Sequence, residues 1–265
     1  MTSPFIHLRV HSEYSLIDGT VRVKPLVKAA QAMAMPAVAI TDHANLFALV
    51  KFYKAALAEG IKPIAGCDVY VSDPASDAAP ALLVLLAQNE AGYRKLGQLL
   101  SKAYDRPRIG DRVVFDINWL MHDNEGLIAL SGAAEGDVGR AIINGHPETA
   151  ITYARRWAEA FPGRYYLELQ RLGRAYDDLH VNGALSIASD LDLPVVATND
   201  VRFIEEEDYE AHEVRVCIHE GRTLDDPRRE QRYTPEQYLK TSEQMAERFS
   251  DLPEAINNSW NIAIR

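Results

Sequence analysis

The chain has 265 residues, of which 47% are hydrophobic and 25% charged, a composition typical of a globular protein with a sizeable core. Its formal net charge of -10 argues against a broad electrostatic grip on DNA, although a local basic patch is compatible with it. The two cysteines form no Cys-x-x-Cys pair, which excludes a disulfide framework and favours a reducing compartment. No stretch approaches the roughly 20 apolar residues that cross a membrane. The start of the chain, Met1 to Arg9, lacks a signal-peptide core, so we expect a cytoplasmic protein, with a secreted protein whose signal was trimmed as the alternative.

Seven short apolar runs have the length of β-strands, and they lie at Phe5–Val10, Ala37–Ile40, Pro63–Val71, Leu82–Ala87, Leu127–Leu130, Tyr165–Leu169 and Pro194–Thr198. Amphipathic stretches between them predict helices at Val23–Met33, Leu46–Glu59, Ala91–Tyr104, Glu148–Phe161 and Leu179–Leu191. Two loops are predicted, a surface turn at Ser72–Pro80 and a loop or short hairpin at Asp105–Asp116. The alternation favours parallel strands with helical crossovers. Seven such units predict a (β/α) barrel, and a doubly wound open sheet is the alternative because patterning does not report closure.

Beyond Phe203 the pattern becomes helical. The acidic residues 205–208 suit a helix N-terminus and predict a helix that starts there. The segment Thr234-Pro235-Glu236-Gln237 has the capping-box pattern, and two terminal helices are predicted at Pro235–Phe249 and Pro253–Ile264. We therefore expect one domain over residues 1–265, with a barrel up to about residue 204 and a helical extension from about 205 to 265.

Polar residues recur where the predicted strands end, and in a β/α barrel the functional residues gather at the carboxyl ends of strands. His7, Arg9 and His11 share one face of the first predicted strand, because residues two apart do so. Further polar groups follow later strands, at Thr41–His43, Gly66–Asp68 and Thr198–Arg202. Histidines and carboxylates that converge from separate strands indicate a hydrolytic metal cluster. The plainer alternatives are hydrogen-bonded core or surface histidines and, for Asp42, a helix N-cap or a turn.

Several longer motifs occur in a fixed order, at His7–Gly19, Thr41–Phe47, Gly60–Asp68, Leu85–Asn89, Gly126–Gly132, Tyr166–Gln170, Ala197–Val201, Ala211–Glu213 and Thr223–Pro227. In this order they resemble the N-terminal PHP (polymerase and histidinol phosphatase) domain of bacterial DNA polymerase III alpha subunits, in a proteobacterial style. The resemblance spans nearly the whole chain. It implies a distorted (β/α)7 barrel whose mouth, in metal-bearing relatives, holds a cluster of three metal ions that supports phosphoester hydrolysis.

The resemblance also implies which residues would hold those ions. The positions that keep a ligand are His11, Asp18, His43 and Asp200, with Asp68 in place of a glutamate. The positions that have lost one are Arg9, Leu82, Ala133, Leu172 and Arg202. Leucine and alanine offer no lone pair, and arginine stays protonated in proteins. We therefore expect a vestigial site with no catalytic residue and no resident cofactor, and at most one weakly held zinc, manganese or magnesium ion.

The two arginines at ligand positions suggest a physical replacement for the metal. Without divalent cations the carboxylates of Asp18, Asp68 and Asp200 would repel one another. Arg9 and Arg202 would restore positive charge, and we predict that at least one of them hydrogen-bonds one of these aspartates. The alternative is that both are surface arginines without a special role.

The resemblance implies that the full subunit is a DNA-directed DNA polymerase, a nucleotidyltransferase whose magnesium-dependent palm, with thumb and fingers, follows this segment and contacts DNA and the sliding clamp. For residues 1–265 we expect a catalytically inactive structural and interaction domain. It would be monomeric, make no membrane contact, support the polymerase and dock the separate proofreading exonuclease subunit. The sequence does not single out the docking surface, and the candidates are the terminal helices and Arg106–Phe115.

Two other functions compete with this interpretation. The first is an active metal-dependent phosphoesterase, such as a 3′–5′ exonuclease, a pyrophosphatase or a histidinol phosphatase-like enzyme, in which the five remaining ligands hold one or two ions. The second is direct binding of primer–template DNA, against which the net charge of -10 counts. A steep salt dependence of DNA binding would favour the second.

Overall fold

A computed structural model describes residues 4–265 and shows a curled sheet of seven strands. The strands are β1 Ala37–Ile40, β2 Lys62–Ser72, β3 Ala81–Ala87, β4 Val114–Asp116, β5 Leu127–Leu130, β6 Tyr165–Leu169 and β7 Val195–Ala197. They are ordered β1-β2-β3-β5-β6-β7, and β4 pairs with β2. Six of the seven predicted strands are confirmed by these elements. The seventh observed strand, β4, lies inside a segment that was predicted as a loop or short hairpin.

The remaining predicted strand, Phe5–Val10, forms an irregular extended segment that joins the two ends of the sheet. On one side the carbonyl of His7 accepts from the amide of Ala39 in β1, at 2.9 Å. On the other side the carbonyl of Arg9 accepts from the amide of Val201, just after β7, at 3.1 Å. Because one segment bonds both to β1 and to the residues that follow β7, the sheet curls toward a barrel. This arrangement favours the predicted barrel over the open doubly wound sheet.

The prediction of parallel strands is wrong for β3, which pairs antiparallel with both β2 and β5. The exposed turn between β2 and β3 contains no crossover helix, so the chain must reverse direction there. The reversal places Leu82, near the start of β3, opposite Tyr70, near the end of β2. A residue at the beginning of a strand therefore lies at the end of the barrel where the parallel strands finish.

Ten α-helices are assigned in the described part of the chain: α1 Val23–Ala32, α2 Leu49–Ala58, α3 Glu90–Tyr104, α4 Ile117–His122, α5 Asp137–Ile143, α6 Pro147–Ala160, α7 Asp177–Leu191, α8 Tyr209–Glu220, α9 Ser242–Arg248 and α10 Pro253–Ala263. The five predicted crossover helices, the helix after residue 205 and the last helix are confirmed in type and place. The short helices α4 and α5 were not predicted, since 6 and 7 residues are too few for a clear helical period.

The predicted helix Pro235–Phe249 is wrong over its first half. Residues 234–240 run without helical structure beside the segment after β7, where the amide of Arg202 donates to the carbonyl of Gln237 at 2.8 Å. The helix starts only at Ser242, where Thr241 and Gln244 form the capping box. Both Thr234–Gln237 and Thr241–Gln244 satisfy the local capping pattern, a threonine followed three residues later by a glutamine. The buried side chains of Gln237 and Leu239 decide between them, because a helix at 235 would remove their contacts with the barrel.

The apolar core is divided by the curled sheet. One group of buried side chains, including Ile6, Leu8 and Leu86, clusters with Ile262 of α10. The other buried groups lie where α1 and α2, and α3 to α7, pack on the strands. None of the helices in residues 4–265 combines the length and the apolar character needed to cross a membrane. The sheet thus carries helices around it and leaves its polar strand ends clustered together.

Candidate functional site

Charged side chains fill the end of the barrel where the N-terminal segment, β2 and the segment after β7 meet. We call this set the mouth cluster, and it comprises Arg9, His11, Asp18, Asp68, Glu168, Asp200 and Arg202. Six of these residues are at most 3% exposed, and the side chain of Asp18 is 17% exposed. The sequence brings them together because Arg9 and His11 alternate with the apolar Leu8 and Val10 on the N-terminal segment. So many buried charges require that almost all of them be paired.

Arg9 lies between three carboxylates. Its Nε donates to Oδ2 of Asp68 at 2.8 Å and lies 3.3 Å from Oδ1 of Asp200, and its Nη1 lies 3.4 Å from Oε1 of Glu168. Burial acts to raise the pKa of Asp68, but the guanidinium of Arg9 and the ring of His11 together outweigh it and lower that pKa. Asp68 is therefore ionised at neutral pH and paired with a cation from the first segment of the chain.

Arg202 makes the second set of ion pairs. Its Nη1 lies 2.6 Å from Oδ2 of Asp18, and its Nη2 lies 2.8 Å from Oδ1 of Asp200. Burial raises the pKa of Asp200, but Arg202 and then Arg9 hold that pKa well below its usual range. The predicted pairing of an arginine with an aspartate is therefore observed for both Arg9 and Arg202. Neither is a surface arginine, so that alternative is wrong.

His11 contacts two of the three arginine-paired aspartates, Asp68 and Asp18. Its Nε2 donates to Oδ2 of Asp68 at 2.9 Å. Burial and Arg202 act to lower the pKa of His11, but the carboxylates of Asp68 and Asp18 outweigh them and raise it to about 9. Nδ1 of His11 also lies 2.8 Å from Nη1 of Arg202, a contact that by itself favours an unprotonated Nδ1. Three ionised aspartates otherwise face two guanidiniums, and this charge balance favours a protonated His11 at neutral pH.

Glu168, on β6, is a member of the mouth cluster that the sequence did not identify as a site residue. It is fully buried, and burial raises its pKa in spite of the nearby Arg9. Its Oε1 accepts from Thr198 at 2.5 Å and from Gln170 at 3.0 Å. The signal that could have identified it is a carboxylate in the middle of the otherwise apolar run Tyr165–Leu169, where the strand faces are buried.

Further hydrogen bonds support this end of the barrel from segments far apart in the sequence. The hydroxyl of Tyr233 donates to Oδ2 of Asp18 at 2.9 Å, and the amide of Gln237 donates to Oδ2 of Asp200 at 2.8 Å. Asp42 accepts from the amide and hydroxyl of Ser12 and from the hydroxyl of Ser15, at 2.6 to 2.8 Å. Asp42 thus anchors the turn that precedes Asp18 and is not a helix N-cap. No sequence signal pointed to Tyr233 or Gln237.

His43 lies at the edge of the mouth cluster. Its ring packs edge-on against Tyr70 at a centroid distance of 4.9 Å, and burial lowers its pKa to about 4. The apolar residues at the lost ligand positions, Leu82, Ala133 and Leu172, are all buried and begin or follow strands at the same end of the barrel. The five predicted remaining ligands therefore come close to one another, beside an apolar wall.

The side chains present do not fit the three-ion cluster that the resemblance implies. The carboxylate oxygens that would face metal ions are already bonded to guanidinium groups, and a divalent cation beside two buried guanidiniums meets strong repulsion. Within residues 4–265, no group of three or more His, Cys, Asp and Glu side chains has an arrangement suited to one metal ion. In this arrangement the charged side chains of the mouth cluster pair with one another.

Comparisons with known proteins place this chain in a family. Residues 7–172 match the PHP domain family. The whole chain is 52% identical to DNA polymerase III subunit alpha of Pseudomonas fluorescens and 48% identical to that of Escherichia coli K12, but it spans only 23% of the length of either relative. A solved amidohydrolase from Chromobacterium violaceum, 16% identical, shares the fold with a TM-score of 0.53 over 79% of this chain and 96% of that one. The chain belongs to the PHP domain family.

Proposed function

We propose that this chain is the PHP domain of a bacterial replicative DNA polymerase III alpha subunit and that its mouth cluster is a structural replacement for a metal centre. The observation that carries the proposal is the position of Arg9 and Arg202, whose guanidiniums are buried and paired with Asp18, Asp68 and Asp200. Two fixed monovalent cations, with His11 as a third, offset the three carboxylates. A domain built in this way keeps the barrel folded without a metal ion and without hydrolytic chemistry.

In this proposal the domain works through contacts. It supports the polymerase and docks the separate proofreading exonuclease subunit, so that the two activities stay together on the DNA. Polymerisation itself, with magnesium, primer–template DNA and the sliding clamp, belongs to the remainder of a longer protein in the cytoplasm. The identity of 48–52% to alpha subunits over the whole chain supports this assignment, and the chain spans 23% of the length of these relatives.

Elemental analysis after exposure to zinc and manganese tests the structural role of the mouth cluster. The chain is prepared without chelator, incubated with each metal and then freed of excess ion. We expect less than one ion per chain and no change in unfolding temperature on addition of EDTA. Two or three ions per chain would contradict the replacement of the metal by arginine. Docking is tested separately, by titrating the chain with the purified exonuclease subunit of the same bacterium.

An active metal-dependent phosphoesterase is the second candidate, because His11, Asp18, His43, Asp68 and Asp200 remain close together in the barrel mouth. It predicts hydrolysis of bis(p-nitrophenyl) phosphate in the presence of manganese or zinc. The activity would have to disappear in the His11→Gln and Asp200→Asn variants to be assigned to this site. We expect no hydrolysis above the rate of the free metal ion, because the arginines already occupy the carboxylates.

A further inference from the structure

Helix α2 exposes a row of large apolar side chains. Val50, Tyr53 and Leu57 are 64%, 52% and 54% exposed, and Phe47, in the turn before the helix, is 64% exposed. Their spacing places Val50, Tyr53 and Leu57 along one side of the helix. Phe52 points the other way and is fully buried, so the helix itself is firmly seated. Isolated exposed apolar residues are ordinary, but three on one side of a helix with a fourth in the turn before it mark an interaction site.

Basic residues outnumber acidic ones around this row, in contrast to the chain as a whole. The acidic side chains nearby are Glu59, exposed at the end of α2, and Glu13, whereas Asp42 is buried and bonded to serines. The stretch from Thr20 to Ala58 exposes five basic residues on α2 and on or beside the neighbouring α1, namely Arg22, Lys24, Lys28, Lys51 and Lys54. Among the described residues, Lys51 has an ion-pair partner in Glu13, at 3.2 Å, while Lys54 has none within 4 Å. A basic rim therefore borders the apolar row on a chain of net charge -10.

We propose that this surface, which we call the α2 face (Phe47, Val50, Lys51, Tyr53, Lys54 and Leu57), docks an acidic amphipathic helix of the proofreading exonuclease subunit. The inference rests on the proposed docking function and adds the surface and the chemistry of the bound segment. A helix suits the row because its apolar stripe can lie along the ridge formed by residues three and four apart. Glutamates or aspartates beside that stripe would meet the lysines of the rim.

Other occupants explain the α2 face less well. DNA would use the lysines but would leave the four apolar side chains in water, which gives no reason for the row. A second copy of the chain would bring the same lysines together across a twofold interface, where like charges repel. The pairing of apolar and basic groups therefore favours a partner segment that is both apolar and acidic.

The test measures the affinity of the chain for the purified exonuclease subunit by titration calorimetry. Leu57→Glu removes one apolar anchor and adds repulsion, so we expect affinity to fall by about tenfold or more. Lys54→Glu changes only the charge, and we expect a loss of about threefold to tenfold that shrinks in high salt. Leu179→Glu on α7 and Arg155→Glu on α6 are matched controls, because both residues are exposed on other helices and should leave the affinity unchanged.

The possible outcomes separate the α2 face from the docking function. If the unmodified chain binds the subunit and both α2 variants bind equally well, the α2 face is wrong and docking stands. If the unmodified chain does not bind, the proposed docking function fails and the α2 face fails with it. Light scattering that shows a dimer sensitive to Leu57→Glu would assign the surface to self-association. Sedimentation with anionic lipid vesicles that depends on Lys54 would assign it to membranes, and either result overturns the proposal.

Discussion

Replacing Arg9 by methionine tests the charge balance of the barrel mouth directly. Methionine keeps an unbranched apolar stem but removes the guanidinium that contacts Asp68, Asp200 and Glu168 at 2.8 to 3.4 Å. Arg9 is 1% exposed, so water cannot take over the solvation of the carboxylates. Removing one partner of a buried ion pair costs about 3–5 kcal/mol. That is a large fraction of the roughly 5–15 kcal/mol by which a domain is usually stable.

The sign of the pH dependence follows from the lowered pKa of Asp68 and Asp200. A depressed folded-state pKa contributes stability above the unfolded value, and the contribution is lost as the pH falls through the folded-state pKa. Without Arg9, these carboxylates take up protons more readily. The variant therefore recovers part of its loss as the pH falls from 7 toward 5, and the gap between the two proteins narrows.

Urea unfolding followed by circular dichroism gives the free energy of unfolding of both proteins at pH 7 and pH 5. Arg94→Met is the matched control, because its ion pair with Glu90 is exposed and should be worth less than about 1 kcal/mol. A loss below about 1 kcal/mol for Arg9→Met, equal at both pH values, would refute the role of Arg9 as the neutralising cation of the barrel mouth.

Four further results are expected. The double variant Arg9→His with Arg202→His restores two ligand positions, and we expect it to bind about one zinc ion per chain by elemental analysis. The control is the double variant Arg9→Gln with Arg202→Gln, and an equal zinc content in both variants would contradict the restoration of a metal site. His11 is expected to be an imidazolium at pH 7 by nitrogen NMR, and a neutral ring at that pH would disprove this. Its folded-state pKa of about 9 exceeds the unfolded value near 6.5, so the stabilisation from the protonated ring is lost as the pH rises from about 6.5 to 9. Burial lowers the pKa of His7 to about 4, so the unfolded chain takes up a proton at this histidine before the folded chain does. The folded chain therefore loses about 3 kcal/mol of its free energy of unfolding as the pH falls from 6.5 to 4. A urea series in which His7→Gln responds to acid like the unmodified chain would contradict this. Thr241→Ala removes the capping box of α9 and should cost about 1 kcal/mol by the same method, whereas no loss would show that the cap is dispensable.

Most residues of the barrel mouth could be identified from the sequence because their signals are local. His11, Asp18, His43, Asp68 and Asp200 stand in or beside the short motifs that follow predicted strands, and the alternation of polar and apolar residues places Arg9 on the face of His11. The substitution of arginine for a metal ligand needs no structure to be noticed, since arginine cannot lose its proton. Most of the strands and helices follow equally from local periodicity, whereas β4, α4 and α5 are too short for it to reveal them.

The tertiary structure decided what local patterns leave open. The direction of β3 is one example, because a strand has the same two-residue period whether it runs parallel or antiparallel to its neighbour. The choice of Thr241 over Thr234 as the cap is another, because both satisfy the same local rule and only burial of Gln237 and Leu239 against the barrel separates them. Tyr233 reaches Asp18 across 215 positions of sequence, a contact that no local pattern encodes. The sequence thus determined the elements and the charges, and the closure of the sheet decided which charges meet, because ion pairing depends on distances in space.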